Sequence, residues 1–365
     1  MRLSPLNQRR WRNFRANTRA RWSLWIFAVL FVLSLFAEFI ANERPLMVQY
    51  RGDYYFPVLN FHPETDFGGE FATEAVFRDA EVQCLVATGG LAGCLDDPQA
   101  TRDAVDAGEI AAEPGWMIWP PIPYSYNTIN EIGRAAPTPP DSDHLLGTDD
   151  NARDVAARVI YGFRLSVLFA LTVTALSSLI GIAAGAVQGF FGGLLDLFFQ
   201  RVVEIWAATP QLYIIIIVGA MFTMDFWVLA LLMTLFGWTA LVGVVRAEFL
   251  RARNFEYIRA ARALGVSNAV IMFRHVLPNA MVATLTMLPF IVTGTIGTLA
   301  ALDFLGFGLP AAFPSLGELT LQAQQNLQAP WLGFTAFFTF AIMLSLLVFI
   351  FEGVRDAFDP RKTFQ

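Results

Sequence analysis

Residues 165–195 read LSVLFALTVTALSSLIGIAAGAVQGFFGGLL, 31 consecutive residues without a charged side chain. About 20 helical residues cross the roughly 30 Å hydrocarbon layer of a bilayer, so this run predicts a transmembrane helix. A barrel strand would alternate apolar and polar residues, and runs such as Ile214–Ile217 show no alternation. Because lipid offers the backbone no hydrogen bonds, such a span must be helical.

Five further stretches are long and apolar enough to cross a membrane. They are Trp22–Ala41, Ile205–Met224, Phe226–Val245, Ala280–Leu302 and Trp331–Phe351. Glu38 lies near one end of the first stretch, and Pro210 and Gln211 interrupt the second. The first stretch is long and follows 21 largely polar residues, so we interpret it as a retained anchor rather than a cleaved signal peptide. The sequence predicts an all-α membrane protein with six transmembrane helices.

The distribution of arginine predicts the orientation of these helices. Residues 1–21 hold seven Arg and no acidic residue, and residues 246–279 hold six Arg against two Glu. Residues 42–162 instead hold 20 Asp and Glu against seven Arg, a net charge of −13. The predicted organisation is a cytoplasmic amino terminus (1–21), a first transmembrane helix (22–41), a periplasmic segment (42–162), a transmembrane core (163–351) with a cytoplasmic loop (246–279), and a cytoplasmic tail (352–365).

The periplasmic segment is predicted to be extended and rich in loops. It contains eleven prolines, and its one clear helical pattern covers residues 72–88. We therefore expect a small subdomain packed on the helix ends rather than an independent fold. Cys84 and Cys94, the two cysteines of the chain, both fall here. In an oxidising compartment they could form a disulfide, and the alternative is two unpaired thiols.

Two patterns accompany the second predicted span. Between residues 149 and 164, Val155, Val159 and Ile160 oppose Arg153, Asp154 and Arg158, which predicts an amphipathic helix lying on the outer membrane surface. Inside the span, glycine recurs every four residues, at Gly181, Gly185 and Gly189. Such spacing lets two helix backbones approach closely, so it predicts packing against a neighbouring helix.

The sequence argues against ATP hydrolysis by this chain. A P-loop needs a lysine that reaches the β- and γ-phosphates of the nucleotide. The single lysine is Lys362, near the carboxyl terminus, and no such loop surrounds it. A primary energy source would therefore have to come from another chain.

Catalytic and metal-binding patterns are also missing from the sequence. His62, His144 and His275 lie far apart, and no His-Glu-x-x-His motif occurs. The predicted spans hold no carboxylate pair of the kind that proton-coupled carriers and intramembrane proteases use. The acidic residues nearest the spans are Glu38, Glu204, Asp225 and Asp303. We interpret them as capping or surface-reaching groups at span ends.

The cytoplasmic loop contains a short predicted helix at residues 255–264, FEYIRAARAL. Tyr257, Ala260, Ala261 and Leu264 follow the i, i+3, i+4, i+7 spacing of one helix face. Gly265 is suited to end the helix in the left-handed conformation, and Ser267 to cap the following turn. Such a helix could dock into a groove on a partner, and the alternative is an ordinary re-entry loop.

Residues 257–265 (YIRAARALG) with 274–279 (RHVLPN) resemble the EAA loop of binding-protein-dependent ABC importer permeases. The resemblance implies that the helix is a coupling helix that seats on an ATPase subunit. Arg259 stands where the family usually has glutamate, so no carboxylate role is expected there. The residues that the resemblance assigns to coupling are Tyr257, Arg259, Ala260, Ala261, Leu264, Gly265, His275, Leu277 and Pro278.

Three further motifs resemble the dipeptide, oligopeptide and nickel branch of that family. They are HLLGTD at 144–149 followed by Arg153-Asp154, LDFLGFGLP at 302–310, and VRDAFDP at 354–360. Ala152 stands where the branch usually has glycine. Within the branch the chain is similar to Yej-type permeases, which belong to importers of microcin C and other peptides. That similarity rests on RLSP at 2–5, WSLWIF at 22–27, DFGGE at 66–70 and QRVVE at 200–204.

The resemblance implies a type I, MetI-like permease fold in a bacterial inner membrane, with both termini cytoplasmic. The implied activity is peptide translocation by alternating access. The implied partners are a second homologous permease, cytoplasmic ABC ATPases that bind ATP and Mg²⁺, a periplasmic peptide-binding protein, the peptide and membrane lipid. The resemblance implies no nucleic-acid partner and no cofactor in this chain. A membrane enzyme would need a catalytic cluster, and a passive channel or anchor would leave the 255–278 loop without a role.

Overall fold

The structure is a computed structural model that describes residues 5–131 and 133–358. The RLSP motif lies almost wholly outside these residues, as do Lys362 and the end of the 354–360 motif. The helices are α1 (Pro5–Ala16), α2 (Thr18–Leu35), α3 (Ala37–Ile40), α4 (Ala80–Thr88), α5 (Gly93–Asp96), α6 (Pro98–Asp106), α7 (Val155–Phe191), α8 (Gly193–Ala208), α9 (Gln211–Met221), α10 (Phe226–Gly237), α11 (Thr239–Ala252), α12 (Glu256–Ala263), α13 (Asn268–Val270), α14 (Leu277–Phe304), α15 (Leu316–Gln325) and α16 (Pro330–Phe358). The strands are β1 (Met47–Tyr50), β2 (Asp53–Tyr55) and β3 (Trp116–Ile118).

The prediction of a helical membrane protein is confirmed. Five helical stretches are long and apolar enough to span a membrane, and α8 with α9 forms a sixth when this bent pair counts as one span. The chain divides into two compact units. We call residues up to 31, 163–324 and from 333 onwards the helical unit, and residues 32–162 with 325–332 the sheet unit.

The third predicted span is bent rather than straight. The axes of α8 and α9 differ by 65°. The break falls at Thr209-Pro210, where the proline has no N–H to continue the helical hydrogen bonds and restricts the residue before it. Residues 196–204, which separate the second and third predicted spans, form no tight turn and lie within α8.

The glycine stripe of α7 packs against α11 and Trp238 just before it, as the spacing predicted for a neighbouring helix. A Cβ atom added at Gly181, Gly185 or Gly189 would lie 2.4, 2.7 and 2.5 Å, respectively, from the backbone oxygens of residues 238, 242 and 246. Both series advance by four residues per step, so the two helices run parallel. The second and fourth spans therefore cross in the same direction, which agrees with a single intervening span.

Each end of the helical unit has its own buried cluster. One cluster joins α7, α11, α12 and the start of α14, and it includes Phe190, Phe249, Ile258 and Val276. The other joins α7, α9, α10 and the end of α14, around Phe169. These clusters hold four spans together and, through Ile258, fix the short helix α12 to them.

The sheet unit has a hydrophobic core of its own, which the sequence did not predict. Its antiparallel sheet has the order β2-β1-β3, with Val48 opposite both Tyr55 and Met117. Phe67 is fully buried, with the rings of Tyr55 and Phe77 at 5.2 and 5.3 Å. The predicted helix at 72–88 is shorter, at Ala80–Thr88, and α5 and α6 were missed.

A disulfide joins Cys84 to Cys94 in the sheet unit, with their Cα atoms 5.5 Å apart. Cys84 lies in α4 and Cys94 in α5. The turn between them contains Gly89 and Gly90, both with positive φ. The structure therefore gives the paired arrangement rather than two separate thiols.

The predicted surface helix at 149–164 is corrected. From Val155 onwards the chain forms one continuous helix with the second span, and the polar residues before and within its first turn are buried. Asp149 accepts a hydrogen bond from Arg153 Nε at 2.7 Å, and His144 Nδ1 lies 2.9 Å from Asp154 Oδ2. These charges are buried and pair with one another instead of forming an exposed polar face.

Ala152 adopts the left-handed conformation, with φ at +57°. A non-glycine residue is strained in this region because its Cβ approaches the following carbonyl oxygen. Asn130 Nδ2 donates to the Ala152 carbonyl at 3.0 Å, which helps to hold the turn. Glycine, which the resemblance led us to expect at this position, would adopt this conformation without that strain.

Candidate functional site

The candidate site is the short helix α12, between the fourth and fifth spans. Its first turn begins at Phe255, whose carbonyl accepts from the N–H groups of Ile258 and Arg259 at 3.0 and 3.1 Å. Gly265, with φ at +77°, ends it, and the Val266 N–H returns to the Ala261 carbonyl at 3.1 Å. The observed helix, Glu256–Ala263, lies within the predicted 255–264.

Ile258 fixes α12 to the spans. Its side chain is fully buried in the cluster with Phe249 and Val276. Ala261 packs against the same cluster, and the Arg262 guanidinium lies 5.0 Å from the centre of the Phe190 ring. Because burying a whole isoleucine side chain contributes about 1.5–3 kcal/mol, this anchor holds the helix in one orientation.

The buried face of α12 differs from the face that periodicity defined. Tyr257 and Leu264 are 45% and 82% exposed, and Ala260 is also exposed, so these three remain free for a partner. Ala261 instead faces the core. Sequence periodicity did not identify Ile258 as the anchor of α12. The i, i+3, i+4, i+7 spacing does not show which of two neighbouring helix faces is the buried one. The arrangement presents a small, mainly apolar surface on a rigid base.

The remaining predicted coupling residues lie beside α12 or just after it. Residues 271–276 form a π-helical turn, in which His275 is half-buried and accepts a hydrogen bond at its carbonyl from Asn279 Nδ2 at 3.2 Å. The same Asn279 amide donates to the Tyr257 hydroxyl at 3.2 Å. Leu277 and Pro278 open α14 directly after this turn. The structure thus brings the YIRAARALG and RHVLPN motifs together.

Ser267 and Arg259 are two further residues that the sequence singled out in this loop. Ser267 occupies the position before α13, but its side chain makes no capping hydrogen bond. Arg259, where the resemblance led us to expect glutamate, is exposed.

A bidentate ion pair supports the base of the site. Arg246 Nε and Nη2 donate to the two Asp196 carboxylate oxygens at 2.5 and 2.8 Å. Arg253 Nη1, one turn before α12, donates to the Phe191 carbonyl at 3.3 Å. These contacts join α8 and the end of α7 to α11. Sequence reasoning missed Asp196 because its partner lies 50 positions away.

Two of the acidic residues near span ends, Asp225 and Asp303, accept backbone hydrogen bonds, which agrees with the capping interpretation. Asp225 accepts from the Val228 N–H at 2.8 Å and begins α10. Asp303 is buried, and its carboxylate accepts from the Leu309 N–H at 2.8 Å and from Ser315 Oγ at 2.5 Å. Asp303 therefore fixes the turn formed by the LDFLGFGLP motif.

Within residues 5–131 and 133–358, no three His, Cys, Asp or Glu side chains are grouped so that they could hold a metal ion. Outside the spans, burial and the neighbouring Asp149 carboxylate raise the pKa of Asp150.

The exposed residues of α12 form an apolar contact surface with arginines beside it. Such a surface is suited to docking against another protein.

The chain belongs to the family of binding-protein-dependent transport system inner membrane components, whose model matches residues 161–364. Residues 4–57 match the N-terminal transmembrane domain of oligopeptide transport permease C. These matches confirm that the chain is a permease and that it has the fold of this family. The coupling-loop motif lies inside the first match.

Three individual relatives show which permeases of this family the chain is similar to. The peptidoglycan transport system permease protein YejE of Agrobacterium fabrum is 53% identical over 100% of this chain and 95% of its own length. The inner membrane ABC transporter permease protein YejE of Escherichia coli is 52% identical over 99% of both chains. The oligopeptide transport system permease protein OppC of Bacillus subtilis is 34% identical over 65% of this chain and 78% of its own. The resemblance to Yej-type permeases is therefore confirmed.

Proposed function

We propose that this chain is a membrane-spanning subunit of an ATP-driven importer that carries peptides, including microcin C-like peptides, by alternating access. The named roles of its relatives support a peptide substrate, because oligopeptide permeases share its fold and Yej-type permeases share its whole length. The chain supplies the pathway, and conformational change in it follows ATP hydrolysis elsewhere.

One observation carries the coupling role. Helix α12 is fixed to three spans, through α7, α11 and α14, by the fully buried Ile258 and leaves Leu264, Ala260 and Tyr257 exposed. A partner that pushes on this surface would move α11 and α14 together, because their side chains share the cluster that holds Ile258. An ordinary re-entry loop would not need so rigid an attachment.

The partners follow from what the chain itself lacks. The sequence contains no P-loop lysine, so ATP and Mg²⁺ would be bound by cytoplasmic ABC ATPase subunits. A second homologous permease would complete the pathway, and a periplasmic peptide-binding protein would deliver the peptide. The chain itself would act as neither an ATPase nor any other enzyme, and no cofactor or nucleic acid is required.

The proposed orientation places the chain in a bacterial inner membrane with both termini in the cytoplasm. Residues 42–162 would be periplasmic and the 246–279 loop cytoplasmic, because arginine is retained inside. A reporter fused near residue 100 should be active only outside, and one near residue 255 only inside. The opposite result at either position would exclude the six-span topology.

Two leucines of equal exposure allow a matched test of docking. Leu264 is 82% exposed on the proposed cytoplasmic surface, and Leu327 is 83% exposed in the sheet unit. We expect Leu264→Glu to abolish copurification of the ATPase and ATP-dependent peptide uptake, with normal membrane levels. Leu327→Glu should copurify the ATPase as the wild type does. An anchor or passive channel predicts that the two variants behave alike.

A further inference from the structure

A groove of about 670 Å³ lies where α1 ends and the first span, α2, begins. Arg15 of α1 and Arg21 of α2 line its basic end, and the rest of its wall is apolar and belongs to α2, as far as Leu30. We call it the α1–α2 groove. From Arg21 to Leu30 the helix rises about 14 Å, close to the roughly 15 Å that half of the hydrocarbon layer measures. The groove therefore has the depth of one leaflet.

The basic end of this groove holds two positive charges without an acidic neighbour in the sequence. No Asp or Glu precedes Glu38. Among the residues that the structure describes, neither Arg15 nor Arg21 forms an ion pair. Arg21 Nη1 donates to the Arg15 carbonyl at 3.3 Å, which holds the Arg21 side chain beside α1. Two like charges that line one groove repel each other, and an anion between them would offset that repulsion.

The α1–α2 groove is built on fixed helices. Phe14 and Ala20 are buried in one cluster with Ala357 near the end of α16. A Cβ atom added at Gly353 would collide with the Ala20 Cβ, so α2 and α16 approach closely here. The side-chain oxygen of Asn17, between α1 and α2, accepts from the Ala20 N–H at 3.1 Å. The two arginines are therefore presented from a packed corner of the helical unit.

An anionic phospholipid fits both ends of the groove. Its phosphate would accept hydrogen bonds from the guanidinium groups, and an acyl chain would cover the apolar wall. Trp22 and Trp25, which are 59% and 64% exposed, line the groove near its basic end. Tryptophan is enriched at the headgroup level of membrane proteins, and basic pockets beside spans bind anionic headgroups on the cytoplasmic side.

Other ligands match only one end of the groove. A free phosphate ion would leave the apolar wall uncovered, and a zwitterionic lipid would bring no net negative charge to the two arginines. We propose that the α1–α2 groove binds one anionic phospholipid through Arg15 and Arg21. In the proposed orientation this lipid belongs to the cytoplasmic leaflet.

Four arginines allow a test in which the total charge is matched. Arg12 of α1 and Arg19 of α2 are exposed but do not line the groove. The groove variant, Arg15→Gln with Arg21→Gln, and the control variant, Arg12→Gln with Arg19→Gln, each remove one positive charge from each helix. The full chain, with the subunits that accompany it, is placed in phosphatidylcholine nanodiscs with a trace of photoactivatable phosphatidylglycerol. Crosslinked residues are then mapped by mass spectrometry.

We expect the phosphatidylglycerol probe to label residues 22–30 of the wild type. Labelling should fall about 25-fold in the groove variant, because each arginine near an anionic lipid contributes a factor of about five. It should change less than about two-fold in the control variant, since those arginines do not line the groove. Unlabelled phosphatidylglycerol should displace the probe, and excess inorganic phosphate should not. A photoactivatable phosphatidylcholine should label all three proteins alike.

Four results would overturn the proposal. Equal labelling of the two double variants would show only general attraction to surface charge, and equal labelling by the two lipid probes would show no selectivity. Displacement by inorganic phosphate would indicate an anion site without a chain. Labelling of the isolated chain but not of the assembled complex would show that a partner protein covers the groove. The assay measures no peptide import, so the proposed function succeeds or fails independently of it.

Discussion

The close packing of α7 on α11 predicts a large effect for one added methyl group. In Gly185→Ala the new Cβ would lie 2.7 Å from the Val242 oxygen and 2.9 Å from the Val245 Cβ. Ordinary contact begins at 3.4 Å, so the helices would have to separate by about 0.7 Å. Overpacking of this kind costs about 1–3 kcal/mol, and we expect a loss of about 2 kcal/mol in the free energy of unfolding.

Gly243 is the matched control for this substitution. It lies in α11, and an added Cβ there would meet no atom within 4 Å. Because alanine favours a helix over glycine by up to about 1 kcal/mol, Gly243→Ala should be neutral or stabilising. Unfolding by sodium dodecyl sulfate, followed by circular dichroism in mixed micelles, measures both. Equal stability of the two variants would refute the close approach.

Three further predictions concern stability. Ala152→Gly should stabilise the protein by about 1 kcal/mol, because glycine relieves the positive φ; a loss in the same denaturation assay would argue against the strained turn. Thiol labelling of the unreduced, denatured wild type should modify neither Cys84 nor Cys94, and Cys94→Ser should cost about 3 kcal/mol for a loop of this length; two labelled thiols would exclude the bridge. Asp196→Asn should lower the free energy of unfolding by about 2 kcal/mol, less than at a fully buried pair because the Arg246 side chain is 26% exposed. In the Arg246→Leu background the same change should cost much less. Equal costs in the two backgrounds would show that the pair is not coupled.

The sequence predicted the features that depend on composition over many residues. Mainly apolar runs of 20 or more residues defined the spans, because hydropathy needs no knowledge of neighbours. The four-residue glycine spacing correctly predicted a close helix contact. The neighbouring helix itself needed the structure, since Gly185 and Val242 are 57 positions apart.

The missed features depend on pairing between distant residues. Strands β1 and β3 have four and three residues and pair across about 70 positions, too short for alternation to show. Arg158 was assigned to the polar face of a surface helix because periodicity does not reveal that Asp149 lies 3.5 Å from it. Ala261 was assigned to the free face of α12 for a similar reason: the core that it packs against is built by other helices.

The central claim is that the exposed surface of α12 contacts a cytoplasmic ATPase. Photo-crosslinking tests it most directly, with a benzophenone amino acid in place of Leu264 or, as the control, of Leu327, two positions with 82% and 83% exposure. In membranes that contain the whole importer, the probe at position 264 should form a crosslink to the ATPase subunit, and the probe at position 327 should form none. A crosslink to the ATPase from position 327, or none from position 264, would contradict the account.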